Sequence, residues 1–110
     1  MANVFKNKLT ANVGTSPSTV YTTPAATTST VIGVSVANVN TNNISVSVRV
    51  TDNSTSTTAH IVKDVLITPG GSFVAVGGEQ KIVLEANDTI SVLSSIATSA
   101  DVIVSVLEIS

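Results

Sequence analysis

The sequence predicts an all-β fold: an antiparallel β-sandwich, Ig-like or jelly-roll-like, of about seven or eight short strands. Three observations carry this. Apolar and polar residues alternate with period 2 in one run after another. Gly, Pro, Asn and Asp punctuate the chain at short intervals, as turns between strands require. No segment shows the 3.6-residue apolar period of an amphipathic helix.

Taken in order, the first thirty residues are rich in Thr, Ser, Ala and Asn, with Pro17 and Pro24, and hold strands around Leu9–Val13 and Ser18–Thr22. They divide the chain into an N-terminal extended arm or edge-strand segment, residues 1–28, and a sandwich, residues 29–110, within one domain. Ile32, Val34 and Val36 alternate with Gly33, Ser35 and Ala37. Ile44, Val46, Val48 and Val50 alternate with Ser45, Ser47, Arg49 and Thr51. Each run reads as a strand with one buried and one wet face. The Asn-rich link Asn38–Asn43 joins them as an antiparallel hairpin, because Asn tolerates the left-handed backbone of turns. A polar turn at Asp52–Ser56 leads into strands at Thr58–Val62 and Val65–Thr68. Pro69-Gly70-Gly71 turns into Ser72–Val76, and Gly77-Gly78 turns into Lys81–Glu85. Ala86-Asn87-Asp88 reads as a hairpin corner before Thr89–Leu93. The last strand, Asp101–Ile109, is apolar on both faces. That places it at the centre of a sheet, or with one face covered by a partner.

Function classes can be excluded from composition. Of 110 residues, 43% are hydrophobic but only 11% are charged and 3% aromatic, so the surface is solvated by hydroxyls and amides. A free monomer ordinarily carries more charge than this, which points to a surface buried in an assembly. The five cationic residues, Lys6, Lys8, Arg49, Lys63 and Lys81, form no stripe that could neutralise a run of phosphates, so nucleic acid is not the expected partner. No apolar stretch approaches the ~20 residues of a membrane-spanning helix. Met1–Gly14 lacks the apolar core of a secretory signal, so the expected site of synthesis is the cytoplasm. The acceptor patterns at Asn43, Asn53 and Asn87 carry little weight without a secretory route.

Catalytic chemistry finds no constellation. His60 is the only histidine and there is no cysteine, so a zinc or iron site is not expected. His60 and Asp64 are four residues apart, which on a regular strand sets them on one face about 13 Å apart, too far for a base and its orienting acid. The carboxylates are Asp52, Asp64, Glu79, Glu85, Asp88, Asp101 and Glu108. A glycosidase pair among them would want aromatic sugar platforms, and only Phe5, Tyr21 and Phe73 exist. The glycine pairs precede strands, not helices, so they are turn glycines and not phosphate loops. The expectation is a non-enzyme with no catalytic, cofactor-binding or metal-binding residues and no cofactor.

Two stretches carry a family resemblance. Asn12–Val39 contains the lead-in Val20-Tyr21-Thr22-x-Pro24 before a core strand, and Gly77–Ser95 contains the corner Leu84-x-x-x-Asp88. Together, and over nearly the whole span from Asn3 to Ile109, they resemble small virion structural proteins of tailed bacteriophages, of the cyanophage and marine-phage type. Asn87 stands where that pattern has glycine. The resemblance implies a virion component, most simply a multi-copy capsid decoration (cement) protein. Its partners would be the major capsid protein or other virion chains, together with further copies of itself. A neck, tail or fibre accessory, or a receptor- or carbohydrate-binding module on the virion, is the alternative that it implies.

Overall fold

A computed structural model of the chain describes residues 2–110, and among these it is all-β. Nine strands form: β1 (Asn3–Val13), β2 (Ser18–Thr22), β3 (Thr28–Asn38), β4 (Ile44–Asp52), β5 (Thr57–Ile67), β6 (Ser72–Val76), β7 (Ile82–Leu84), β8 (Thr89–Ser94) and β9 (Ala100–Ile109). They build two antiparallel sheets. The first has the order β1-β9-β3-β6, with β7 also on β3. The second has the order β2-β8-β4-β5. Strands β6 and β7 pair with opposite halves of β3, Val34–Ala37 and Ser29–Val31, so together they act as one interrupted edge. With that pair counted as one, the order is an eight-stranded jelly roll. The sequence expectation of a jelly-roll-like sandwich stands.

The core between the sheets is aliphatic. Val31, Val34 and Val36 of β3, Val46 and Val48 of β4, Ile90 and Val92 of β8, and Val102, Val104 and Val106 of β9 are all buried. The rows of β4, β8 and β9 are every-second-residue sets, as the pleat demands, and that of β3 is interrupted once, between Val31 and Val34. Strand β9 lies between β1 and β3, so its two apolar faces belong to a central strand.

Four expectations need correction. The separate strands expected at Thr58–Val62 and Val65–Thr68 are one strand, β5, whose register shifts against β4 kink it without breaking it. The Asn38–Asn43 link is not a hairpin: β3 belongs to one sheet and β4 to the other. Alternation marks which face of a strand is buried but not which strand it pairs with, and two strands with buried inner faces can equally pack across the core. The Ala86–Asp88 corner is the same error, since β7 and β8 also lie in different sheets. Finally, Ile32 is half-buried and Val31 takes the core position, because the β3–β9 register shifts between Val31 and Gly33. A period-2 count cannot see a bulge.

The N-terminal segment is built into both sheets. β1 pairs with β9 from Asn3 to Val13, and β2 pairs with β8. Residues 1–28 therefore supply one edge strand to each sheet, as far as the described residues extend.

Candidate functional site

The side chains with potential chemistry are mostly used to hold turns. His60 is exposed and lies opposite Arg49. Asp64 engages a different residue: its N–H donates to Ser47 Oγ at 3.0 Å, and Ser47 Oγ donates to its carboxylate at 3.4 Å. No hydrogen bond joins His60 to Asp64 among the described residues. Between them β5 carries one residue more than β4 at two places, and Asp64 sits at φ 52°. The same kink explains why Ser47, expected on the wet face, is buried.

Carboxylates of Asp52, Glu85 and Asp88 come together from two different turns, with one oxygen of each lying within 4.8 Å of the others. These are the described residues that could approach a cation. Two of the three already have partners. Asp88, buried, accepts from Asn53 N–H at 3.0 Å and from Glu85 N–H at 2.9 Å. Asp52 accepts from Ser54 N–H at 2.9 Å, Ser54 Oγ at 2.7 Å and Thr55 N–H at 3.2 Å. The Ser54 hydroxyl, the first of these causes, holds the Asp52 carboxyl below the usual carboxylate range. The arrangement caps the β4–β5 and β7–β8 turns and ties them to each other. Asn87, where a glycine was expected, has φ 69°, a left-handed conformation that asparagine adopts readily.

A second polar cluster lies at the β1–β2 side of the sandwich. Tyr21 Oη donates to Glu108 Oε2 at 2.6 Å and, its one hydrogen so used, accepts from Ser29 Oγ at 2.7 Å. Lys6 Nζ reaches the other Glu108 oxygen at 3.2 Å. Four strands, β1, β2, β3 and β9, are stitched here. Burial, followed by the bond to Glu108, pushes the Tyr21 hydroxyl up to about 12. The bond from Tyr21, aided by Lys6, holds the Glu108 carboxyl below its ordinary value. One signal in the sequence could have found this site. Glu108 continues the inward row Val102, Val104, Val106, and a carboxylate on a buried row needs partners.

The network makes a testable difference. Tyr21→Phe leaves Glu108 and Ser29 short of a partner in a buried site, and is expected to cost about 1–3 kcal/mol. The pH dependence has a sign. The lowered carboxyl of Glu108 contributes stability above its unfolded value, about 4.3, and loses it as pH falls through the lower folded value. The raised Tyr21 hydroxyl contributes below its unfolded value, about 10, and loses it as pH rises toward the folded value. Urea midpoints of parent and Tyr21→Phe should differ most near neutrality and converge at both extremes. A constant difference from acid to alkali would contradict the assignment.

What remains unpartnered is backbone. β1 is an edge strand of eleven residues and is exposed along almost its whole length. Its row facing the second sheet carries Lys6 and Lys8, opposite Val106 and Val104 of β9. Its other row carries Phe5 and Leu9, opposite Leu107 and Ile103. Lysines on an edge strand guard it against indiscriminate pairing. Phe5 and Leu9 do the reverse, offering apolar area beside free N–H and C=O groups.

No protein-family model and no curated protein matches the chain. Among solved structures, the fold is similar to that of a chain from Bacillus endospore appendages, which form a novel family of disulfide-linked pili. The TM-score is 0.58 and the identity 13%, and the match covers 96% of this chain and 86% of that one. At that identity the likeness speaks for the fold.

Proposed function

We propose that this chain is a non-enzymatic structural subunit that works by assembling in many copies. Its setting is the surface of a tailed-phage particle, where it decorates and stabilises the capsid. The observation that carries the assembly role is the β1 edge: a long, exposed strand with unsatisfied backbone groups and outward Phe5 and Leu9. An isolated protein with such an edge is prone to uncontrolled pairing, and burial against a defined neighbour removes the hazard. The scarcity of charge, 11% of residues, supports the same reading. The virion setting is supported by the sequence resemblance. Small individual contacts would suffice there, since a lattice multiplies them.

A filament subunit is the second reading, favoured by the likeness to a pilus-forming protein. The disulfide linkage of those pili has no counterpart in these 110 residues, which contain no cysteine, so contacts between copies would be non-covalent. Electron microscopy of native assemblies carrying a gold-labelled copy separates the readings. Label spaced regularly over capsids supports decoration, and label along fibres supports the filament. Label only in the soluble fraction would remove the assembly role.

A further inference from the structure

Exposed apolar side chains are not scattered over this molecule. Among the described residues, Phe5 (74% exposed), Leu9 (64%), Val83 (63%), Leu66 (62%) and Val74 (61%) are the most exposed large hydrophobics. Four of these five lie on the outer face of the first sheet, two at each of its edges. The registered pairs show how they are arranged. One row across the sheet runs Phe5, Leu107, Thr30, Val83. Another runs Leu9, Ile103, Ser35, Val74. Each row begins and ends on an exposed apolar residue, one on β1 and one on the β6–β7 edge.

Strand directions make the two edges compatible. β1 and β3 are both antiparallel to β9, and β6 and β7 are antiparallel to β3. The two edges of the sheet therefore run in opposite directions. A second copy in the same orientation, displaced sideways, brings its β1 antiparallel to β6–β7 of the first, and the alternation of the sheet continues without interruption. With the rows level, Phe5 of one copy lands beside Val83 of the next, and Leu9 beside Val74. Aromatic and aliphatic cross-strand pairs of this kind stabilise antiparallel ladders. The edges also match in extent: β1 and the β6–β7 pair cover nearly the same span of the sheet, with Asn7 level with the gap between β6 and β7.

Charge chooses this join over a symmetric one. Two β1 strands pairing about a two-fold axis at Asn7, the register that sets Phe5 against Leu9, would set Lys6 against Lys8, and like charges facing across strands are destabilising. On the opposite edge, β6 has no charged residue, and β7 is flanked by exposed Glu79 and Glu85, while Lys81 is bonded to the Gly78 carbonyl. The second sheet offers a poorer edge, since β5 is bulged and carries Lys63 and Asp64, and β2 has only five residues.

We infer that copies of this chain join head to tail, the β1 edge of one adding to the β6–β7 edge of the next, with Phe5 against Val83 and Leu9 against Val74. This rests on the reading of the chain as an assembling subunit and names the partner as a second copy. A heterologous contact of this kind does not close a dimer but builds rings or open stacks. Four strands per copy give a repeat of about 19 Å along the stack. Ordinary strand twist turns successive copies by roughly 80–100°, which makes the stack helical.

Cysteine pairing tests this on the full chain, which has no thiol of its own. Leu9→Cys combined with Val74→Cys, oxidised and run without reductant, is expected to give a ladder of dimers, trimers and higher species. Leu9→Cys with Val83→Cys joins different rows about 13 Å apart, beyond disulfide reach, and should give roughly tenfold less. Phe5→Lys with Leu9→Lys, both exposed, should fold like the parent and weaken self-association about tenfold or more. Efficient dimers from Asn7→Cys alone, with no ladder from the matched pair, would mean two-fold β1 pairing about Asn7 and would overturn the join. So would multimers in sedimentation that the matched pair fails to trap, although the assembling-subunit reading would survive. A chain that stays monomeric, with no ladder, also overturns the join; its presence or absence on particles then decides the broader reading separately.

Discussion

Val48→Asp is expected to abolish cooperative folding. Val48 is fully buried, in the middle of β4, opposite Val62 of β5 on one side and Val92 of β8 on the other. An aspartate there has no cation or donor to meet it. Ionised, it is a buried unpaired charge; protonated at neutral pH, it costs about 1.4 kcal/mol for each unit its pKa must rise, and a fully buried group moves by several. A loss above roughly 4 kcal/mol consumes much of the 5–15 kcal/mol typical of a domain. The comparison is Ile103→Asp, the same charge at a half-exposed outer-face position of β9, expected to change stability by about 0.5 kcal/mol or less. Urea titration followed by circular dichroism reads both. A Val48→Asp protein with the parental midpoint would show that the β4 row faces outward.

Asn38→Ala is expected to be the most damaging change at a position that carries no core apolar group. Asn38 ends β3 and is buried. Its amide donates to the Ile67 carbonyl and to the Asn42 carbonyl, both at 2.9 Å, and its Oδ1 accepts from Asn40 N–H at 2.8 Å. Its backbone bonds Gly71 O and Gly70 N–H as well. The side chain thus joins the end of β5 to the arch that carries the chain from one sheet to the other. Alanine would strand the Ile67 carbonyl in the interior and release the arch, at about 2–4 kcal/mol. In a domain of this size that corresponds to a fall of roughly 10–20 °C in Tm. Asn42→Ala, on the exposed rim of the same loop, should move Tm little. Equal effects at the two positions would mean that the Asn38 bonds do not hold the arch.

Those two positions also show where the sequence was legible. The Val46–Val48 row follows from alternation alone, because a strand with one buried face must place every second side chain inward. The class of fold follows in the same way, from many such rows and no helical period. The partner of each strand does not follow. Asn38–Asn43 has the residues of a hairpin loop, and the same residues serve as well in an arch between sheets, because both need left-handed backbone and side-chain capping. Only β4 and β5 are neighbours in both sequence and sheet order across a tight turn, so a reading that pairs neighbouring strands misplaces most links of a jelly roll. The Tyr21–Glu108–Lys6 cluster was hidden for the same reason: its members are far apart in the chain and meet only through non-local pairing. Glu108 on an inward row was the one visible trace. The apolar rows that end on Phe5, Leu9, Val74 and Val83 required the register of four strands, which no local pattern contains.

The central claim is that this chain serves by being built into an assembly. Its most direct test is the copy number of the chain on purified native particles, counted by quantitative mass spectrometry against the main shell or tube protein. The expected result is many copies in a fixed ratio to that protein, retained through gradient purification. The chain recovered only from the soluble pool as a single small species, with none on particles, would contradict it.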